Sequence, residues 1–109
     1  MYEVTNGVRK VGGVEIETWK REITDANILS GEVGTNGYQG GDTGHGSRTY
    51  IRIQNEGGTD LGARVLLDSL SYVDGVEIVL GGDAELSTMI EALKFATKVL
   101  EEGIQEAVL

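Results

Sequence analysis

Sixteen consecutive residues, Gly34-Thr35-Asn36-Gly37-Tyr38-Gln39-Gly40-Gly41-Asp42-Thr43-Gly44-His45-Gly46-Ser47-Arg48-Thr49, hold most of the groups in this chain that could do chemistry. Six of them are glycine. Glycine lets the backbone approach a ligand closely, and successive N–H groups in such a stretch can form a concave nest for an anion. Between the glycines stand an amide (Asn36), an aromatic ring (Tyr38), a carboxylate (Asp42), the single histidine (His45), two hydroxyls (Ser47, Thr49) and a guanidinium (Arg48). That set suits a nucleotide. Arginine offers a two-pronged donor to a phosphate, hydroxyls donate to it, tyrosine stacks on a base, and Asp or Asn accepts from a ribose or an adenine amine.

Other chemistries fit less well. No Gly-Lys-Ser/Thr follows, as a Walker loop requires, and the following residues read as strand, not the helix of a dinucleotide fingerprint. Asp42, His45 and Ser47 are the residue types of a hydrolytic triad, but a nucleophile two positions from its base lacks the rigid elbow that such chemistry uses. No catalytic residue is assigned. With one histidine and no near-spaced carboxylate pair, no metal site and no cofactor are expected. The same composition also suits a long turn whose polar groups satisfy only their own backbone.

The elements flanking this stretch must position it. Residues 48–54 alternate, with Thr49, Ile51 and Ile53 on one face and Arg48, Tyr50, Arg52 and Gln54 on the other, so Arg52 joins the candidate binding set. Upstream, Val8–Val11 and Val14–Ile23 around Gly12-Gly13 predict a glycine-turned hairpin, and 28–33 predict another strand. Hairpin loops usually take roughly two to five residues, so the length of the glycine stretch needs a reason. Val76–Leu80 predicts a last strand, while residues 61–73 suit either a strand or a short helix. From Asp83 the apolar period becomes 3.6. Asp83 is the expected N-cap and a helix is predicted over about 84–106.

On that helix Leu86, Met89, Ile90, Leu93, Ala96, Val99, Leu100 and Ile104 span nearly half the circumference, with Phe95 at the margin. One sheet needs only a stripe of about 100°. The surplus suits either a helix sunk deeply into its own domain or a second subunit covering it; the expectation carried forward is a homo-oligomer formed through this helix, which Asp at Phe95 or Val99 would dissociate. The expected fold is α+β in a single domain over 1–109: an antiparallel sheet of about five or six strands over residues 1–82, then the helix.

Composition narrows the partners. At 109 residues with no cysteine, the chain has neither disulfide nor thiolate chemistry. Its net charge of −9 argues against DNA, RNA or an anionic membrane as partner. The imbalance lies in residues 54–109, which carry net −8, whereas residues 1–53 carry −1. With no apolar leader or span, a soluble cytoplasmic protein is expected.

A short acidic strand-rich chain closed by a helix and carrying GTNGYQGGDTGHGSRTY resembles the small phage-encoded sponge proteins that sequester the nucleotide signals of bacterial antiphage systems such as Thoeris and CBASS. The resemblance is one of size, element order and loop chemistry. It implies a non-enzymatic homo-oligomeric binder in the host cytoplasm, with pockets near subunit contacts and a cyclic ADP-ribose derivative or cyclic oligonucleotide as ligand. Two alternatives stand beside it: an acidic interaction module that inhibits a host enzyme, and a small nucleotide-processing enzyme using Asp42 and His45.

Overall fold

The computed structural model describes residues 4–24, 28–36 and 48–102. Within them lie six antiparallel strands followed by one long helix, the expected α+β arrangement, with the strands divided between two sheets. Strands β1 (Val4–Val11) and β2 (Val14–Thr24) pair from Val11↔Val14 outward. Gly12 and Gly13 between them have φ of +58° and +80°, the left-handed pair that a two-residue hairpin turn needs to match strand twist. Strands β3 (Ile28–Thr35) and β4 (Thr49–Gly57) complete a sheet in the order β1-β2-β3-β4. The ambiguity over 61–73 resolves as strand: β5 (Leu61–Leu67) pairs with β6 (Val73–Leu80) in a separate two-stranded ribbon.

Helix α1 (Asp83–Glu102) lies across β2 and β3. Val33 packs with Phe95, Ala96 and Val99, and Ile23 and Leu29 pack with Met89 and Ala92. Phe95 and Val99 are therefore core residues and not the free margin that the helical arc suggested. Leu86, Ile90 and Leu93 are exposed instead. The helix is rolled so that Phe95 and Val99 pack on Val33, with the Phe95 ring over Gly31, where an added Cβ would lie 3.7 Å away in ordinary contact. The cap also differs from expectation. Gly82 supplies the first accepting carbonyl, to the Leu86 N–H at 3.2 Å, which makes Asp83 the first helical residue rather than the cap. Glu85 reaches out of the helix to accept the Asp60 N–H at 3.2 Å, tying α1 to the base of the ribbon.

Gly34 marks the closest approach of β2 and β3. A Cβ there would fall within 3 Å of the Glu17 carbonyl oxygen and of Thr18 Cα, which are backbone atoms that cannot swing aside. Gly34→Ala should therefore cost about 2–3 kcal/mol, whereas Gly62→Ala, which meets nothing within 4 Å, should stay within about 0.5 kcal/mol. Thermal melts of the two variants check this; equal melting temperatures would show that the strands have room to part.

Candidate functional site

The helix covers one face of the four-stranded sheet, and strand alternation decides what the other face carries. Trp19, Ile23, Leu29 and Val33 point to the helix, so Thr18 and Lys20 of β2, Glu32 of β3, and Arg48, Tyr50, Arg52 and Gln54 of β4 lie on the opposite face. Arg9 reaches it from β1. Across the strands Lys20, Glu32 and Arg52 form one register row.

Glu32 is the centre of this face. It is buried, and its carboxylate accepts from Arg9 Nε at 2.9 Å and Nη2 at 2.6 Å and from the Thr18 hydroxyl at 2.7 Å. The paired donors of Arg9 hold the Glu32 carboxyl well below its usual 4.5, at about 2, against the opposing effect of burial; Thr18 and the nearby Lys20 act in the same direction as Arg9. The Arg9 guanidinium is held in its charged form chiefly by the same bonds. Its carbon sits 5.3 Å from the centre of the Tyr50 ring, within cation–π range. Side chains from both edge strands thus meet over the middle of the sheet, and this pins the Tyr50 ring.

The ends of the glycine stretch are tied beside this cluster. Thr35 and Thr49 share a hydroxyl hydrogen bond of 2.9 Å. One step further out, the Asn36 N–H donates to the Arg48 carbonyl at 3.2 Å, and the Arg48 N–H donates to Asn36 Oδ1 at 2.7 Å. Positions 37–47 are thereby inserted across a closed neck. Of the candidate residues, Arg48 and Arg52 share the polar face with Tyr50. Asn36 serves as the clasp of the neck, and Thr49 points to the helix side of the strand. Tyr38, Asp42, His45 and Ser47 lie outside the described residues.

Two cations on this face differ in their engagement. The Arg48 guanidinium lies against the β1–β2 turn, close to Gly12. Arg52 is exposed, its guanidinium donates to a neutral acceptor, Gln54 Oε1, at 3.0 and 3.2 Å, and among the described residues no carboxylate pairs with it. An anion brought to this face would meet that charge without having to displace a carboxylate. Among the described residues no three His, Asp or Glu side chains converge to hold a metal.

Arg9, Thr18 and Glu32 are the site residues that sequence reasoning passed over. Alternation in 28–33 does place Glu32 opposite Leu29 and Val33, but a glutamate on that face reads as solvated. Its partner lies 23 positions away, beyond the reach of any periodic signal. Among the described residues no helix is long and apolar enough to cross a membrane. Compared with protein-family models, curated proteins and solved structures, the chain matches none of them.

Proposed function

We propose that the chain is a non-enzymatic binder that sequesters a phosphate-bearing nucleotide at the neck of the glycine-rich loop and on the adjoining polar sheet face. The observation that supports this most is the pairing, on one face of β4, of an exposed guanidinium that no carboxylate among the described residues pairs with (Arg52) and an aromatic ring lying under the Arg9 guanidinium (Tyr50), next to the tied neck of the loop. Arg48 and Arg52 are the cations that meet the phosphate, Tyr50 or Tyr38 offers a ring to a base, and the loop glycines supply backbone donors. The resemblance to phage sponge proteins supplies the ligand class: a cyclic ADP-ribose derivative or a cyclic oligonucleotide made by a host antiphage system, held in the host cytoplasm.

Calorimetry with a panel of cyclic and linear adenine nucleotides tests this reading. Losing a charge-assisted hydrogen bond costs roughly 1.5–3 kcal/mol, so Arg48→Ala and Arg52→Ala should each weaken binding about ten- to a hundredfold, and Lys94→Ala on the helix should not. Tyr38→Ala and Asp42→Ala should also weaken it. If no nucleotide binds the wild type more tightly than Arg52→Ala, the face is structural. Heat release of bound nucleotide followed by chromatography separates the alternatives. Intact recovery supports sequestration, and an altered product that disappears in His45→Ala supports an enzyme. No retention of any nucleotide favours an acidic interaction module.

A further inference from the structure

The β5–β6 ribbon is built with one dry side and no core of its own. Its cross-strand pairs Ala63↔Ile78, Val65↔Val76 and Leu67↔Val73 stack apolar on apolar along one face, whereas the other carries the Arg64–Glu77 ion pair at 2.5 Å. At the base of the dry face, Leu61 and Leu80 pack against the core cluster containing Met89. Beyond them the face leaves the core and enters solvent, with Val65, Leu67, Val73, Val76 and Ile78 each between 50% and 74% exposed. The turn is ordered by Asp68, whose carboxylate accepts the Leu70 and Tyr72 N–H groups at 2.9 and 3.0 Å, so the apolar face extends along a formed arm. An isolated two-stranded ribbon is at best marginally stable in water, and exposed apolar surface of this continuity marks an interface.

The same chain carries a matching recess. The core cluster containing Met89 reaches β4 at Ile53, and outside that cluster the helix exposes Leu86, Ile90 and Leu93. On this flank an open groove of about 480 Å³ runs along Ile90, Leu93 and Thr97 and is bordered by Lys94, Lys98 and Glu101.

We propose that the dry face of the ribbon seats in this helix groove of a second copy of the chain, reciprocally, in a two-fold dimer. Continuity and charge argue for a second copy as the occupant. The ribbon's dry face is an outward extension of its own core, and the groove is the uncovered flank of the helix closing that core, so exchange makes one continuous apolar interior from two. Asp68 and Asp74 give the ribbon an acidic tip, and on the groove border Lys94 and Lys98 outnumber Glu101, the Lys94 ammonium lying 3.6 Å from Glu91 in an exposed pair that a second carboxylate can join. A standard stable interface covers about 800 Å² per partner, and the apolar surface available for it here is that of Val65, Leu67, Val73, Val76 and Ile78 of the ribbon and Leu86, Ile90 and Leu93 of the helix, each 43–74% exposed. Each chain presents both the ribbon and the groove, as an isologous contact requires.

Light scattering at 50 µM, together with disulfide trapping, tests the arrangement. The wild type should have twice the 11.6 kDa mass of the chain. Val76→Asp and Leu93→Asp, both at exposed positions, should halve that mass while keeping the far-ultraviolet spectrum. Because the chain has no cysteine, Val76→Cys or Ile78→Cys mixed with Leu93→Cys or Thr97→Cys should give a covalent pair under oxidation, whereas Glu15→Cys as partner should not. The trapping needs no destabilising substitution, so it decides the matter even if the Asp variants fail to fold. A monomeric wild type overturns the proposal, and so does an oligomer in which no ribbon cysteine links to a helix cysteine.

Discussion

Phe95→Asp is expected to unfold the chain, not to release a subunit. The ring is 2% exposed and packs with Val33, Ala96 and Val99. Deleting a buried aromatic ring costs about 3–5 kcal/mol, and a carboxylate without a partner in the same place adds to that. The total exceeds about 5 kcal/mol, comparable to the whole stability of a domain this size. Far-ultraviolet circular dichroism at 25 °C should show loss of both sheet and helix. Leu93→Asp, on the exposed flank, should keep both. A folded Phe95→Asp protein of smaller mass would return Phe95 to the interface and displace the core assignment.

Glu32 carries the second large effect. Glu32→Ala takes the acceptor from the buried Thr18 hydroxyl and the paired acceptors from Arg9, which at 40% open to solvent can be rehydrated, so the cost should be about 2 kcal/mol, below that of a fully buried pair. Tyr50 should also lose its fixed position, since the guanidinium over it is no longer held from below. Acid separates this contribution from simple packing. The Glu32 carboxyl is depressed from 4.5 to about 2 in the folded chain, so its stabilisation is fully present above pH 4.5 and is lost as pH falls towards 2. The stability gap between wild type and Glu32→Gln should be constant from pH 7 to 5 and then shrink by about 2 kcal/mol between pH 4.5 and 2. Urea melts across that range check it. A gap that holds at pH 2.5 would show that the carboxylate charge contributes nothing.

The sequence makes the scaffold legible wherever one face is wet and the other dry. Alternation in 48–54 separates Ile51 and Ile53 from Arg48, Tyr50 and Arg52, and the glycine pair after Val11 announces its turn. Two things escape that logic. An apolar arc of nearly half a helix does not say which flank meets the sheet, because the choice rests on the fit to residues of another element, such as Val33 under Phe95 and Val99. A buried charge is invisible to periodicity, because Glu32 on its strand looks like any solvated glutamate until Arg9 and Thr18 are brought to it. Residues 61–73 stay ambiguous for a related reason: a run such as Val65-Leu66-Leu67 has no polar residue to mark alternation and fits either a strand or a helix until its partner strand is known.

The closed neck at Thr35–Thr49 and Asn36–Arg48 separates the fate of the loop from that of the sheet. Once the ends of a segment are tied, each doubling of its length costs only about 0.6 kcal/mol, so residues can be added, removed or exchanged between positions 37 and 47 without moving a strand. Under the proposed function, selection for a new ligand would act on those eleven positions while the tied strands hold still. The same separation makes the neck a natural grafting point for an engineer: recognition segments of other lengths could be spliced between Asn36 and Arg48 and screened as a library on an unchanged frame.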